Sequence, residues 1–95
     1  MRDWPKLVTA APIGGFRLRL GFSDGFVGEV DFAETVSRGG IFAFLQDEAR
    51  FRKVAVAHGG TALQWIDDDG DEIDFDADAQ RMRAEANVVA ATAAE

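Results

Sequence analysis

The stretch Phe16-Arg17-Leu18-Arg19-Leu20-Gly21-Phe22-Ser23-Asp24-Gly25-Phe26-Val27-Gly28-Glu29-Val30-Asp31-Phe32 decides the fold. Phe16, Leu18, Leu20 and Phe22 alternate with Arg17, Arg19 and Gly21, the period-two pattern of a half-buried strand. After Ser23-Asp24-Gly25 the alternation resumes with Phe26, Gly28, Val30 and Phe32 on one face and Val27, Glu29 and Asp31 on the other. A one-residue slip would turn a whole face over, so the register can be derived. A two-residue Asp24-Gly25 turn sets Leu20 opposite Glu29 and Leu18 opposite Asp31, placing carboxylates among leucines. A three-residue Ser23-Asp24-Gly25 loop pairs Phe22 with Phe26, Leu20 with Gly28, Leu18 with Val30 and Phe16 with Phe32. It also sets Arg19 across from Glu29 and Arg17 across from Asp31, and puts Gly25 where a left-handed residue is normal. The three-residue register is the expected one.

Working outward, Leu7-Val8-Thr9-Ala10-Ala11 closes at Pro12 and reads as an edge strand, with Trp4 packing over the sheet edge. Downstream, Phe51 to His58 and Thr61 to Ile66 flank Gly59-Gly60, which suits a two-residue primed turn that pairs Val56 with Leu63 and Val54 with Trp65. Between the hairpins, Ile41, Phe42 and Leu45 have helical spacing after Gly39-Gly40, and their aromatic face should cover the sheet. From Asp76 or Ala77 to about Ala91 the chain is alanine-rich, with Asp76 or Asp78 as a cap. Its apolar stripe of Ala79, Met82, Ala86, Val89 and Ala93 can dock, fray, or pair with a second copy to form a homodimer. The expected architecture is α+β in the order βββαββα. Residues 1–76 form a single domain, and 77–95 a helix or tail.

Ninety-five residues suffice for one small core, and 47% hydrophobic residues with two prolines fit a globular chain rather than a disordered one. The absence of cysteine removes disulfides, zinc ribbons, thiol nucleophiles and iron–sulfur clusters. No apolar run approaches the roughly 18 residues of a membrane helix, and the first residues lack a signal-peptide pattern, so a cytoplasmic protein without membrane attachment is expected. The net charge of −7 argues against direct nucleic-acid binding. That charge is local. Residues 1–66 hold eight basic and seven acidic side chains, whereas residues 67–95 hold two and ten.

Gly21-Phe22-Ser23-Asp24-Gly25 matches the G-x-S-x-G nucleophile elbow, but that mechanism needs a helix after the turn and here a strand follows. The turn reading stands, and no catalytic residue is assigned. His58 has no second imidazole or thiol with which to share a metal. Arg50, Arg52 and Lys53 form a small basic cluster without interleaved exposed aromatics, a weak nucleic-acid signal. Eight carboxylates lie between Asp67 and Asp78 with no basic residue among them. Placing Gly70 at the sixth position of a calcium loop puts Asp67, Asp69 and Asp71 on ligand positions, but Trp65 then occupies the first and a strand precedes it. A looser divalent-cation site from Asp67, Asp69, Asp71 and Asp74 is the metal alternative to a solvated acidic turn. Asp67, Asp68, Asp69, Asp71 and Glu72 are the candidate contacts for a basic protein partner, since charge complementarity speeds encounter and selects partners.

In order, Phe16-Arg17-Leu18, Phe22-Ser23-Asp24-Gly25, Gly28-Glu29-Val30-Asp31-Phe32, Gly39-Gly40-Ile41-Phe42, Leu45-Gln46-Asp47 with Phe51, Leu63-Gln64-Trp65 and Ile73-Asp74 resemble the bacterial family known as domain of unknown function 2442. The resemblance spans roughly residues 7–76. It implies a small α+β domain of antiparallel strands with a short helix and no established enzymatic activity, with a link to regulatory or antitoxin-like pairs. The sequence departs from that family where Ile66 and an aspartate run follow Trp65 in place of a proline. The expectation is a non-enzymatic interaction module without a cofactor, in the form of a regulatory or antitoxin-like subunit. The alternative is a cation- or small-molecule-binding protein using segment 67–78.

Overall fold

The structure is a computed structural model and describes residues 5–94, without the side chains of Ile41 and of residues 88–94. The expectations for Trp4 and for the side chains of Ile41, Val89 and Ala93 fall outside the described residues.

The alternating stretch takes the derived register. Arg17–Phe22 (β2) runs antiparallel to Val27–Asp31 (β3), with Leu18 opposite Val30, Leu20 opposite Gly28 and Arg19 opposite Glu29. The loop closes as a three-residue turn: the Phe22 N–H donates to the Phe26 carbonyl at 2.9 Å, and Gly25 has φ +91°. Leu18, Leu20, Phe22, Val30 and Phe32 are buried, so the chosen face is the core face. On the other face Arg19 and Glu29 form an ion pair at 3.0 Å. The facing Asp31 carboxylate instead accepts the Ala33 N–H at 2.8 Å, at the start of a helix, Ala33–Ser37 (α1), absent from the expected order. Leu7–Pro12 (β1) pairs with β2 as the edge strand, with an irregular register between Leu7 and Thr9.

The second hairpin keeps its turn register but not its length. Ala55–Ala57 (β4) and Ala62–Ile66 (β5) pair Val56 with Leu63, as the Gly59-Gly60 turn requires. The strand expected from Phe51 begins only at Ala55, because Glu48–Phe51 forms a helical turn (α2). Asp47 caps it by accepting the Ala49 N–H at 2.9 Å, which drives fully buried Phe51 into the core. Gly40–Gln46 is a 3-10 helix that buries Leu45 and lays Phe42 on Phe75, with ring centroids 5.6 Å apart.

A sixth strand also forms. Glu72–Asp76 (β6) pairs antiparallel with β5, within what the sequence suggested was an acidic turn, because Ile73 and Phe75 alternate with the carboxylates and face the core. Each hairpin thus acquires its own third strand, and two sheets result, ordered β1-β2-β3 and β4-β5-β6. The α+β class and the βββαββα order hold with these additions. The sheets approach closely at the β4–β5 turn. At Gly60 (φ +93°) an added Cβ would stand 2.7 Å from the Leu7 carbonyl oxygen.

Ala77–Ala94 (α3) follows β6 directly and packs along β3. Its buried face is Ala77, Gln80 and Ala84, not the expected stripe: Ala79, Met82 and Ala86 are exposed. The reason is polar. Arg81 clamps Asp24 of the first turn through two hydrogen bonds of 3.1 and 2.9 Å, lies over the rings of Phe22 and Phe26, and also pairs with Glu85. Arg83 and Asn87 donate to the Asp31 and Glu29 carbonyls at 2.7 and 2.9 Å. These carbonyls point away from β2, because the hydrogen-bonded positions of β3 are the even-numbered ones, as the Phe26 and Phe32 bonds show. The helix therefore caps a sheet edge that would otherwise stand open.

Two expectations follow. Gly60→Ala should cost about 2–3 kcal/mol and Gly59→Ala, which has space for the methyl, about 1 kcal/mol, read as shifts in urea midpoint. The hydrogen bonds from Arg81 and then from the Phe26 N–H hold the Asp24 carboxyl below the usual carboxylate range. A depressed folded-state pKa means that this clamp contributes fully above the unfolded value of about 3.9 and is lost as pH falls through the folded value. Below about pH 4 the stability difference between wild type and Asp24→Asn in urea titrations should therefore shrink towards zero.

Candidate functional site

The acidic segment begins as the connection between β5 and β6, and its first carboxylate has a structural use. Asp67 Oδ1 accepts the N–H groups of Asp69 and Asp71, each at 2.9 Å. The backbone closes the same loop: the Asp67 N–H donates to the Asp71 carbonyl at 2.9 Å, and the Gly70 N–H to the Asp67 carbonyl at 3.0 Å. Aspartate is suited to this position because its short side chain reaches backbone donors two residues ahead. The loop presents Asp68, Asp69 and Asp71 outward at the end of the second sheet. Asp68 meets Arg50 at 3.1 Å, and Arg50 in turn lies over the Phe44 ring, so one member of the basic cluster is engaged by the acidic loop.

The four suggested metal ligands do not form one set. Asp67, Asp69 and Asp71 each offer an oxygen within 4.8 Å of the others. Asp74 stands apart from them, on the outer face of β6 with Glu72 and His58. The His58 Nε2 is 3.2 Å from Asp74 Oδ2 and 3.3 Å from Gln64 Nε2. One ring nitrogen cannot donate to the carboxylate and accept from the amide at once, so the tautomer selects the partner. His58 reaches this position from a left-handed backbone, φ +54°, ahead of the glycine turn.

Beside β6 lies a depression of about 440 Å³. Phe42, Ile73 and Phe75 supply its apolar part, and Asp67, Asp71, Glu72 and Asp74 its acidic rim. Three of the five suggested partner contacts line this region, Asp67 and Asp71 on the loop and Glu72 on β6, together with the metal candidate Asp74, while Asp68 and Asp69 extend beyond it. Among the described residues, the ion pair of segment 67–78 is Arg50 with Asp68, while Asp74 has the His58 ring nitrogen within hydrogen-bonding distance. The aromatic side of the depression escaped sequence reasoning, although the alternation of Ile73 and Phe75 with Glu72, Asp74 and Asp76 was the signal for it.

Ser23 lies in the first hairpin turn ahead of β3. Its hydroxyl oxygen accepts the Lys6 N–H at 2.9 Å, and its own N–H donates to the Lys6 carbonyl at 2.8 Å, which ties the turn to the start of β1. No family model, curated protein or solved structure matches this chain. Among the described residues, no helix is long and apolar enough to cross a membrane.

Within the acidic loop the carboxylates should separate by role. Asp67→Ala removes the acceptor for two backbone donors and should cost about 1–2 kcal/mol in urea unfolding. Asp69→Ala, with no such bond, should change stability by less than about 0.5 kcal/mol.

Proposed function

We propose that this chain is a non-enzymatic protein-interaction module whose second sheet meets a basic protein partner at its acidic end. The observation that carries the reading is the depression beside β6, where an aromatic and aliphatic floor adjoins the carboxylates of Asp67, Asp71, Glu72 and Asp74. A floor of this kind accepts the aliphatic stem of a lysine or arginine, while the rim receives its charge. Asp68 and Asp69 extend the negative surface outward and steer encounter. The resemblance to domain of unknown function 2442 supports the form of a regulatory or antitoxin-like subunit, and a cysteine-free chain fits a cytoplasmic setting.

The other use of these carboxylates is a divalent-cation site. The mutual separations of Asp67, Asp69 and Asp71, at most 4.8 Å, suit oxygens around one calcium ion at about 2.4 Å. Calorimetry with calcium, magnesium and manganese separates the readings. Heat release with a rise in melting temperature that grows with metal concentration assigns the loop to a cation.

For the interaction reading, co-purification from native lysate at low salt should recover a basic protein. Raising salt from about 50 to 500 mM should release it. The triple variant Asp68→Ser, Asp69→Ser, Asp71→Ser keeps Asp67 and the fold, and should weaken capture at least about tenfold. Undiminished capture by that variant, or no partner at any salt, refutes the reading.

A further inference from the structure

The hydrogen-bonding parity of β6 can be read from its two ends. The Asp67 N–H bonds to the Asp71 carbonyl at 2.9 Å, and the Ala77 N–H bonds to the Thr61 carbonyl at 2.9 Å. In an antiparallel ladder the bonded pairs recur every second residue, so Trp65 bonds Ile73 and Leu63 bonds Phe75. Glu72 and Asp74, opposite Ile66 and Gln64, occupy the non-bonded positions and turn their N–H and C=O groups away from β5. Among the described residues no hydrogen bond meets these four backbone groups. Both residues are exposed. The contrast with β3 is direct, because there Arg83 and Asn87 of α3 occupy the outward carbonyls.

We infer that β6 is a strand-addition edge, and that its occupant is an extended segment of a partner protein in which basic and apolar residues alternate. The inference rests on the interaction reading above and specifies how that contact is made. The two faces of β6 dictate the pattern. Glu72 and Asp74 point to the outer face, and Ile73 and Phe75 to the face that Phe42 borders. An added antiparallel strand therefore sets lysines or arginines beside Glu72 and Asp74, and apolar side chains over Ile73, Phe75 and Phe42. The depression at this edge leaves room for those apolar side chains.

Charge also decides against a second copy of the chain. Two β6 edges paired antiparallel about Asp74 would place Asp74 against its own equivalent and Glu72 against Asp76, and like charges directly opposite are destabilising. The carboxylates thus guard the edge against self-association while leaving it open to a strand of opposite charge.

The test uses the full chain and a synthetic eight-residue peptide of alternating lysine and valine. In antiparallel addition, the residues opposite Glu72 and Asp74 are the lysines, and their N–H groups face β6. Binding should slow amide hydrogen exchange at Glu72 and Asp74 about tenfold or more. N-methylation of the lysine amides should abolish binding, and N-methylation of the valine amides should leave it intact. A peptide of alternating glutamate and valine should not bind. Should the lysine peptide bind without slowing exchange at Glu72 and Asp74, or bind equally well when its lysine amides are methylated, strand addition is wrong and the acidic-surface reading survives. No binding of the lysine peptide at low salt overturns strand addition, while capture of a basic partner by wild type and not by the triple serine variant would still uphold the broader reading.

Discussion

The indole of Trp65 is the junction on which the two sheets depend. It is buried, and its Nε1–H donates to the Phe51 carbonyl at 2.8 Å, so β5 is tied to the helical turn that precedes β4. Around it stand Phe51, Phe75 and Phe32, with ring centroids at 5.4, 5.6 and 6.0 Å. Phe32 follows β3 of the first sheet and Phe75 lies on β6 of the second, so one side chain holds both sheets in register. Aromatic pairs of this geometry contribute about 0.5–1.5 kcal/mol each beyond their buried area. The buried Phe51 carbonyl adds a constraint of its own, since it would lose its side-chain partner if the indole were replaced by a plain ring.

From that junction the sheets run to edges that are treated differently. At β3 the helix α3 supplies the covering groups, and its charged side chains serve structure: Arg81 binds Asp24, while Arg83 and Asn87 take edge carbonyls. The helix docks by hydrogen bonds and cation–aromatic contacts over a buried face of Ala77, Gln80 and Ala84, whose apolar side chains are only methyl groups, and the stripe of Ala79, Met82 and Ala86 is left in solvent. At β6 no such cover is described, and the edge is bordered by carboxylates and by the aromatic pair Phe42 and Phe75.

The acidic run therefore combines three tasks within a few residues. Asp67 folds the loop by accepting backbone N–H groups. Asp68 draws Arg50 towards the second sheet. Glu72 and Asp74 flank the β6 edge. Their proximity concentrates negative potential at one end of the molecule, while the remainder of the chain is nearly neutral.

Much of this was legible in the residues, wherever period and charge reinforced one another. The register of Phe16 to Phe32 followed from the requirement that leucines not face carboxylates, and the Gly59-Gly60 turn fixed Val56 against Leu63. Two segments misled. Phe51 resembled a strand residue, although Asp47 ahead of it is a helix cap, and the alternation in Glu72 to Asp76 was hidden by its carboxylates. The α3 face was unreadable because polar contacts with β3 and Asp24, distant in sequence, outweigh a weak methyl stripe. The sequence by itself determined the local strands, the turns and the placement of charge, because alternation, glycine positions and net charge are local properties. Tertiary structure alone decided that the hairpins form two sheets, that Trp65 joins them, and that α3 covers the β3 edge while among the described residues no group caps that of β6, because those outcomes depend on which distant groups meet each edge.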